Sequence, residues 1–237
     1  MKTQIYGTFG PACDSEDILK KMIDAGMTGM RLNLSHTTLA NSAGEIECYQ
    51  KAAKERGVKS QILIDMRGPE LRVGSMLQSL ELKEMMTTLS LCSLEDYALL
   101  REVSGVIPVP KEVIAVLEVG DEILLDDGKL LLQVESRTET KKRLQESVKV
   151  QVLRGGLLHS GKSIKVVGKQ VKMPPLTLHD IENIKLAKQY GVTALMQPFV
   201  LCGDDLKYVR SVLKEYGAEQ IEIFAKIENL KGVENLE

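Results

Sequence analysis

The feature that most constrains the fold is a three-residue apolar run, residues 62–64, which ends abruptly in charges, a glycine and a proline. An apolar run of this length between turn signals is typical of a strand that is buried on both faces of a parallel sheet. Four charged side chains follow it closely: Asp65, Arg67, Glu70 and Arg72. Parallel α/β proteins carry their chemistry at the carboxyl ends of their strands, so the run predicts both a fold class and the place of a site.

Strands and helices alternate along the first and last parts of the chain. Strands are predicted at residues 2–9, 30–34, 62–64, 192–196 and 221–225. Helices with apolar residues at helical spacing lie between them, and the first two end near Gly26 and Gly57. Thr177 is a suitable N-cap for the helix before the fourth strand. This repeated pattern predicts an α/β fold with a parallel sheet of five βα units.

The middle of the chain, residues 75–171, has a different pattern. It is rich in β-type alternation, and residues 118–134 contain an Asp-Gly turn that is typical of a hairpin. Further strands are predicted at residues 147–153 and 163–167. Because the βα pattern resumes afterwards, we predict a small all-β domain inserted into the α/β domain. The predicted boundaries give three segments: residues 1–74, 75–171 and 172–237.

The number of βα units bears on whether the sheet can close. A closed parallel barrel has eight strands, whereas this sequence provides five. Five units without a return strand leave two unpaired sheet edges and a half-exposed apolar interior. We therefore expect the chain to be the amino-terminal part of a longer protein. The alternative is a five-stranded domain that a partner chain seals.

Charge and cysteine usage narrow the class of protein. The formal net charge is −2, so no overall basic field favours nucleic acid or an anionic membrane as a partner. The four cysteines show no CxxC pairing, which argues against a zinc cluster or a disulfide framework: Cys13, Cys48, Cys92 and Cys202. The amino terminus reads as a strand, and no apolar stretch is long enough to span a bilayer. We expect a cytoplasmic protein with reduced thiols.

Polar residues follow three of the predicted strands. If these strands are neighbours, the following side chains converge on one face: Arg31, Asn33, Ser35, Asp65, Arg67, Arg72, Lys226 and Glu228. Several cations with a few carboxylates suit an anionic, phosphorylated substrate with a metal ion. Asn, Ser and Asp side chains supply hard oxygen donors, which suit a large monovalent or divalent cation rather than zinc or copper.

Six short segments, in order from end to end of the chain, resemble the amino-terminal half of pyruvate kinases. They are residues 8–12, 25–27, 31–36, 65–74, 119–121 with 126–128, and 226–233. The resemblance implies a partial (β/α)8 TIM barrel, of which this chain holds the first five βα units, interrupted by a small β lid domain. It also implies phosphoryl transfer from phosphoenolpyruvate to ADP, which gives pyruvate and ATP in glycolysis. Family members are usually tetramers, so the resemblance implies a homo-oligomer for the full-length protein.

The resemblance also implies roles for individual residues. Two cations would act on the phosphoryl group in transfer: Lys226 and Arg31. A divalent metal, Mg²⁺ or Mn²⁺, would have Glu228 as one carboxylate ligand. Four residues would bind K⁺, the last of them through its backbone carbonyl: Asn33, Ser35, Asp65 and Met66. Three would lie near the nucleotide: His36, Arg72 and Lys162. Glu70 resembles the acidic residue of potassium-dependent members.

The sequence departs from the family pattern at two places. The family's Asp-Thr-Lys is Asp65-Met66-Arg67 here, which keeps a backbone carbonyl but replaces lysine with a different donor. The family's Ala-Ser-Phe-Ile-Arg-Lys is residues 197–202, Gln-Pro-Phe-Val-Leu-Cys, which lacks the serine and the basic pair. These changes favour an alternative function, a degenerate pyruvate-kinase-like binding or regulatory protein without turnover. A lyase on a related barrel is a third hypothesis, but such barrels lack a β lid.

Several of these residues also have simpler interpretations. Arg31 and Asp65 could form a structural ion pair, and Asn33 with Ser35 could cap the following helix. Lys162 lies in a lysine-rich run that is typical of a solvated face. His159 and His179 are expected at the surface.

Overall fold

The first three strands and two helices of the chain follow the predicted βα order. The computed structural model describes residues 3–138 and 147–236. Its first elements are β1 Tyr6–Thr8, α1 Glu16–Asp24, β2 Gly29–Asn33, α2 Ala43–Glu55 and β3 Ile62–Asp65. Acidic Glu16 and Asp17 lie in the first turn of α1, where they oppose the helix dipole favourably. The helix ends before Gly26, which has a φ of 108° that other residues rarely adopt.

The middle of the chain is β-rich, as predicted, and it also contains two short helices that were not predicted. Its elements are β4 Leu80–Leu82, β5 Leu89–Ser93, α3 Leu94–Leu100, β6 Val106–Val109, α4 Lys111–Val116, β7 Glu122–Leu125, β8 Leu130–Thr138, β9 Ser147–Arg154, β10 Gly156–Leu158 and β11 Ile164–Val166. The predicted hairpin is confirmed, because β7 pairs antiparallel with β8. One six-stranded sheet has the order β11-β7-β8-β9-β5-β6, and β10 pairs with β4 separately.

The βα pattern then resumes and completes the first unit. Its elements are α5 Leu178–Ala187, β12 Ala194–Gln197, α6 Gly203–Glu215, β13 Glu222–Ala225 and α7 Leu230–Glu234. Thr177 is the N-cap of α5, as predicted, and forms a capping box with Asp180. The chain divides into two compact units, Met1–Pro69 with Pro174–Glu237, and Glu70–Met173. The domain boundaries drawn from the sequence stay predictions.

The first unit is organised around one parallel sheet with the strand order β1-β2-β3-β12-β13. All four neighbouring pairs are parallel. In register, Asn33 lies opposite Asp65, and Asp65 lies opposite Met196. The carboxyl ends of these strands therefore meet at one edge of the sheet, as the fold class predicts.

Each unit has its own apolar core. In the first unit, every residue of β3 is buried, and Leu19, Tyr49, Ile184 and Leu213 from the surrounding helices join the same cluster. Burial of each such side chain contributes roughly 1.5–3 kcal/mol to folding. In the second unit the core forms among the β-strands, around residues such as Leu132 and Val150. Within the described ranges, no helix combines the length and the apolar character that crossing a bilayer requires.

Candidate active site

Asp65 lies at the end of the central strand β3 and is the centre of the charged cluster in the first unit. Arg31 forms an ion pair with Oδ2 of Asp65 through Nη2, and it donates from Nη1 to Thr8 Oγ1 at 2.9 Å. On the other side, Nζ of Lys226 lies 3.8 Å from Oδ1 of Asp65. The Asp65 residue is only 4% exposed. The buried carboxylate of Asp65 therefore contacts two cations, Arg31 from β2 and Lys226 from the residue that follows β13.

One oxygen of this carboxylate has capacity left to bind. Oδ1 of Asp65 is buried and has no hydrogen-bond partner among residues 3–138 and 147–236. A buried carboxylate oxygen without a partner costs free energy unless a donor or a cation completes its surroundings. The ion pair with Arg31 is the structural pair that the simpler interpretation anticipates. The other oxygen, Oδ1, has only the contact with Lys226 Nζ at 3.8 Å, which is too long for a hydrogen bond, and the ion pair with Arg31 does not account for it.

Lys226 and Glu228 follow β13 and form the second part of the cluster. The backbone of Lys226 donates to Gln197 O at 2.9 Å, which ties it to the end of β12. Its Nζ lies 3.1 Å from Oε1 of Glu228. The other oxygen, Oε2 of Glu228, accepts a hydrogen bond from Phe199 N at 3.1 Å. The ammonium of Lys226 thus lies between two carboxylates, those of Asp65 and Glu228.

Phe199 and Thr8 are part of this arrangement and were not predicted as site residues. Phe199 has a φ of 56°, a left-handed conformation that bulky residues rarely adopt. Strained backbone of this kind clusters at functional sites. It lies in the segment 197–202, where the sequence departs from the family pattern. That segment was the available signal for Phe199, although the family also has phenylalanine at this position. Thr8 begins the matching segment 8–12, but its contact with Arg31 depends on the pairing of β1 with β2.

The remaining predicted cation ligands lie at the end of β2, which is Asn33, and on the loops after β2 and β3. Ser35 donates from its backbone N to Asn33 Oδ1 at 3.1 Å, so Asn33 stabilises its own turn. The expectation that Asn33 and Ser35 cap the following helix is wrong, because the N-cap of α2 is Ser42. Met66 is buried, and its backbone N donates to Met196 O at 3.0 Å. Ser35 and His36 are exposed. The structure therefore brings Asn33, Asp65 and Met66 to adjacent strand ends.

Arg72 and Lys162 belong to the second unit and lie on adjacent chain segments there. An isolated bridge pairs Arg72 with Ser163, the neighbour of Lys162. Arg72 donates to Glu70 Oε2 from Nε at 2.9 Å and from Nη2 at 2.6 Å. Nζ of Lys162 lies 2.9 Å from Oδ1 of Asp126. Hydrogen bonds from Lys162 and Lys129 lower the pKa of Asp126 below its ordinary value. Lys162 is therefore a fixed ion-pair partner rather than one of a row of solvated lysines.

Two further histidines were expected at the surface. His159 is exposed, and its Nδ1 lies 2.6 Å from Ser79 Oγ. His179 differs from the expectation, because it is half-buried and its Nε2 lies 3.0 Å from the carbonyl oxygen of Leu34. The sequence places His179 in the first turn of a helix, but it does not show that the loop after β2 packs against this residue.

The donor set around Asp65 fits K⁺ better than Mg²⁺. Amide, hydroxyl, carboxylate and carbonyl oxygens are hard ligands, and Oδ1 of Asp65 accepts no hydrogen bond from the described parts of the chain, its ion-pair contact being Lys226 Nζ at 3.8 Å. For a divalent metal the set is incomplete, because both oxygens of Glu228 already have partners in Lys226 and Phe199. In the described parts of the chain, no three His, Cys, Asp or Glu residues are grouped so that they could hold a metal ion.

Comparison with known proteins identifies the family. The family described as "Pyruvate kinase, barrel domain" matches residues 1–237. Curated relatives named pyruvate kinase include those of Staphylococcus aureus strains MRSA252 and USA300, each 35% identical to this chain, over 241 and 240 residues respectively. These alignments cover 100% and 99% of this chain, but the chain spans only 39% of the length of either relative. The chain belongs to the pyruvate kinase family.

Proposed function

We propose that this chain provides the phosphoryl-handling part of a pyruvate kinase active site, which transfers phosphate from phosphoenolpyruvate to ADP. The observation that carries the proposal is the position of Lys226. Its ammonium lies 3.1 Å from Glu228 Oε1 and 3.8 Å from Asp65 Oδ1, at the carboxyl edge of the parallel sheet. An ammonium fixed by two carboxylates at a strand end is pre-organised to meet a transferring anion.

The chemistry of phosphoryl transfer explains why such a group is needed. Charge gathers on the equatorial oxygens of the phosphoryl group as it passes from the donor oxygen to the acceptor oxygen. Catalysis therefore depends on positioned cations. Lys226 would contact these oxygens, and Arg31, held by Thr8 and Asp65, would contact the phosphate from the adjacent strand. The resemblance also implies Mg²⁺ or Mn²⁺ with Glu228 as one ligand, but Glu228 would first have to release Lys226 or Phe199, so no step of the proposal depends on that metal.

K⁺ and the nucleotide complete the proposal. We assign K⁺ binding to Asn33, Ser35, Asp65 and the carbonyl of Met66, which the resemblance implies; the buried Oδ1 of Asp65, which accepts no hydrogen bond from the described residues, supports a cation there. We assign nucleotide contacts to His36, Arg72 and Lys162, which rests on the resemblance alone. The chain matches 39% of its relatives' length, so the proposal concerns its contribution to a whole enzyme. A tetrameric assembly, a cytoplasmic location and the absence of nucleic acid or membrane partners stay expectations.

The test is a coupled assay with phosphoenolpyruvate and ADP on the whole product of the gene, with and without K⁺. Lys226→Met should lower kcat by about 10²–10³-fold, the loss that follows from removing one transition-state donor. Lys207→Met is the matched control, since Lys207 also pairs with a carboxylate, Asp204, but on the exposed surface of α6. Ordinary turnover by the Lys226→Met variant would refute the proposal.

A second candidate function is binding or regulation without turnover. One observation favours it. Pro198 replaces the family's serine, and its ring packs closely against Gly68: a Cβ added to Gly68 would lie 2.4 Å from Pro198 Cγ. That packing gives Pro198 a structural role in place of a hydroxyl near the substrate. A whole gene product that binds phosphoenolpyruvate in calorimetry, but shows no turnover with ADP, K⁺ and Mg²⁺, would support this candidate over the first.

A further inference from the structure

The first turn of α5 contacts both loops that carry the proposed K⁺ ligands. His179 contacts the loop after β2, and Asp180 contacts the loop after β3. These contacts join parts of the chain that are more than a hundred residues apart in sequence. Neither residue is among those that the resemblance assigns to the site.

Asp180 is fully buried, at 0% exposure, and accepts hydrogen bonds on both carboxylate oxygens. Its Oδ2 accepts from Thr177 N at 2.9 Å and from Thr177 Oγ1 at 2.6 Å, which completes the capping box. Its Oδ1 accepts from Arg67 N at 3.0 Å and from Gly68 N at 3.4 Å. A capping box needs only the bond from Thr177 N and the bond that Asp180 N donates in return to Thr177 Oγ1 at 3.2 Å. The bonds from Arg67 N and Gly68 N are additional, and they connect the helix to the loop that follows Asp65.

The bond from Arg67 N fixes the direction of the Met66 carbonyl. That N–H and that C=O belong to the same peptide group, which is planar and trans, so they point in opposite directions. With the N–H aimed at Asp180, the Met66 carbonyl must point away from α5. The carboxylate of Asp180 therefore sets the orientation of a proposed K⁺ ligand without touching the ion.

His179 acts on the other loop in the same way. Its Nε2 lies 3.0 Å from Leu34 O, and because a carbonyl only accepts, Nε2 carries the proton. The same peptide group carries the N–H of Ser35, which donates to Asn33 Oδ1 at 3.1 Å. Anchoring one end of this peptide orients the other end and, through it, the amide of Asn33. Asn183, one turn further along α5, adds a third anchor by accepting from Leu39 N at 2.8 Å.

We propose that the first turn of α5 positions the K⁺ site, with Asp180 and His179 as positioning residues that orient the Met66 carbonyl and the Asn33 amide. The inference rests on the proposed function, because it assumes that these groups bind K⁺. Groups that orient metal ligands typically change affinity about tenfold to 100-fold when they are removed. An effect of that size on K⁺, apart from any effect on folding, is what distinguishes positioning from helix capping.

The experiment compares Asp180→Asn with Asp96→Asn in the whole gene product. Asp96 is the matched control, since it occupies the same third position of α3 and accepts from the N-cap Ser93 Oγ at 2.9 Å. The readout is the rise in the thermal unfolding midpoint as KCl replaces choline chloride at constant ionic strength, which reports K⁺ binding without turnover. The half-maximal K⁺ concentration for activity is measured beside it.

Asp180→Asn should need at least about tenfold more K⁺ for the same rise in midpoint and for half-maximal activity. Asp96→Asn should match the unchanged protein in both. Equal K⁺ requirements in Asp180→Asn and the unchanged protein would overturn the inference and leave the proposed function intact. The inference would also be overturned if the unchanged protein turns over but neither its activity nor its unfolding midpoint depends on K⁺. Failure of the proposed function is a separate result, which the Lys226→Met assay reports.

A second residue keeps the test decisive if Asp180→Asn does not unfold cooperatively. His179→Ala removes the donor to Leu34 O from a half-buried position, and His179→Gln restores an N–H donor. We expect the alanine variant to need several-fold more K⁺ and the glutamine variant to recover most of the loss. A normal K⁺ requirement in His179→Ala would then overturn the inference.

Discussion

The Nζ atom of Lys226 lies 3.1 Å from Oε1 of Glu228. The Glu228 carboxylate is held from its other side by the backbone N of Phe199, whose left-handed conformation aims that N–H at Oε2. Both side chains are about one-third exposed, at 33% and 35%. A pair at this exposure contributes little to folding, about 0–1 kcal/mol. Under the proposed function, this pair should therefore matter more for turnover than for stability.

This relationship predicts that function and stability separate in Glu228→Gln. Turnover in the coupled assay should fall by about tenfold or more, because the ammonium of Lys226 loses one of its two carboxylates and is no longer fixed. The free energy of unfolding in urea should change by less than about 1 kcal/mol. Glu234→Gln, at an exposed pair with Lys231, should change neither quantity. Full turnover by Glu228→Gln would show that the pair has no part in the reaction.

Asp65→Ala is predicted to lower stability strongly. The change leaves the guanidinium of Arg31 and the ammonium of Lys226 without their shared carboxylate at a buried position. Removing one partner of a fully buried pair costs roughly 3–5 kcal/mol, and the partial exposure of Arg31 reduces the expected cost to about 2 kcal/mol. Asp24→Ala is the control, since Asp24 pairs with Arg56 on an exposed surface.

Urea unfolding of the two variants decides the point. A loss of about 2 kcal/mol for Asp65→Ala, against less than about 1 kcal/mol for Asp24→Ala, is the expected result. Equal losses would mean that the Arg31–Asp65 contact is solvated like any surface pair.

The order of strands and helices was predictable because it depends on local pattern. The buried strand at residues 62–65, the glycine after α1 and the N-cap at Thr177 all follow from periodicity and capping chemistry. The helices α3 and α4 were missed because each is at most seven residues long and lies in a segment dominated by alternation. Short helices gain most of their stability from packing, which a local pattern does not contain.

The site was predictable to the extent that strand ends must meet. Asn33 and Asp65 end strands β2 and β3, and Lys226 directly follows β13 of the same parallel sheet, so the fold class alone predicts that they share an edge. Phe199, His179 and Asp180 act through contacts with residues that are distant in sequence. A capping box predicts that Asp180 accepts from Thr177, but not that its second oxygen is buried against the β3 loop. Only the packing of α5 against the sheet determines that.

Gly68→Ala is predicted to be destabilising for two reasons. Gly68 has a φ of 65°, and a Cβ there would lie 2.4 Å from Pro198 Cγ and 3.2 Å from Phe199 Cδ2. Gly57 has nearly the same φ, 64°, but a Cβ there would meet nothing within 4 Å. Gly57→Ala should therefore cost only the backbone strain, about 1–2 kcal/mol.

The difference between the two variants isolates the steric clash. We expect Gly68→Ala to lose roughly 1–3 kcal/mol more than Gly57→Ala in urea unfolding, the range for forcing atoms into a packed site. It should also lower turnover, because Phe199 carries the N–H that holds Glu228. Identical losses of stability in the two variants would show that Pro198 yields without cost.

The pH dependence of stability is predicted to involve Glu16 at the contact between α1 and α2. Hydrogen bonds from Lys20 and Lys51 lower the pKa of Glu16 to about 2, from an ordinary value of 4.5. A folded-state pKa below the unfolded value means that the carboxylate stabilises the folded protein above pH 4.5, and that this contribution is lost as pH falls towards 2.

Glu16→Gln removes the titrating group. The stability difference between the unchanged protein and Glu16→Gln should therefore shrink between pH 5 and pH 2. When Lys20→Met is introduced into both proteins, the difference between them should be smaller from the start, because Lys20 is the main cause of the lowered pKa. Urea unfolding at several pH values measures it, and a difference that stays constant across this range would show that Glu16 titrates alike in both states.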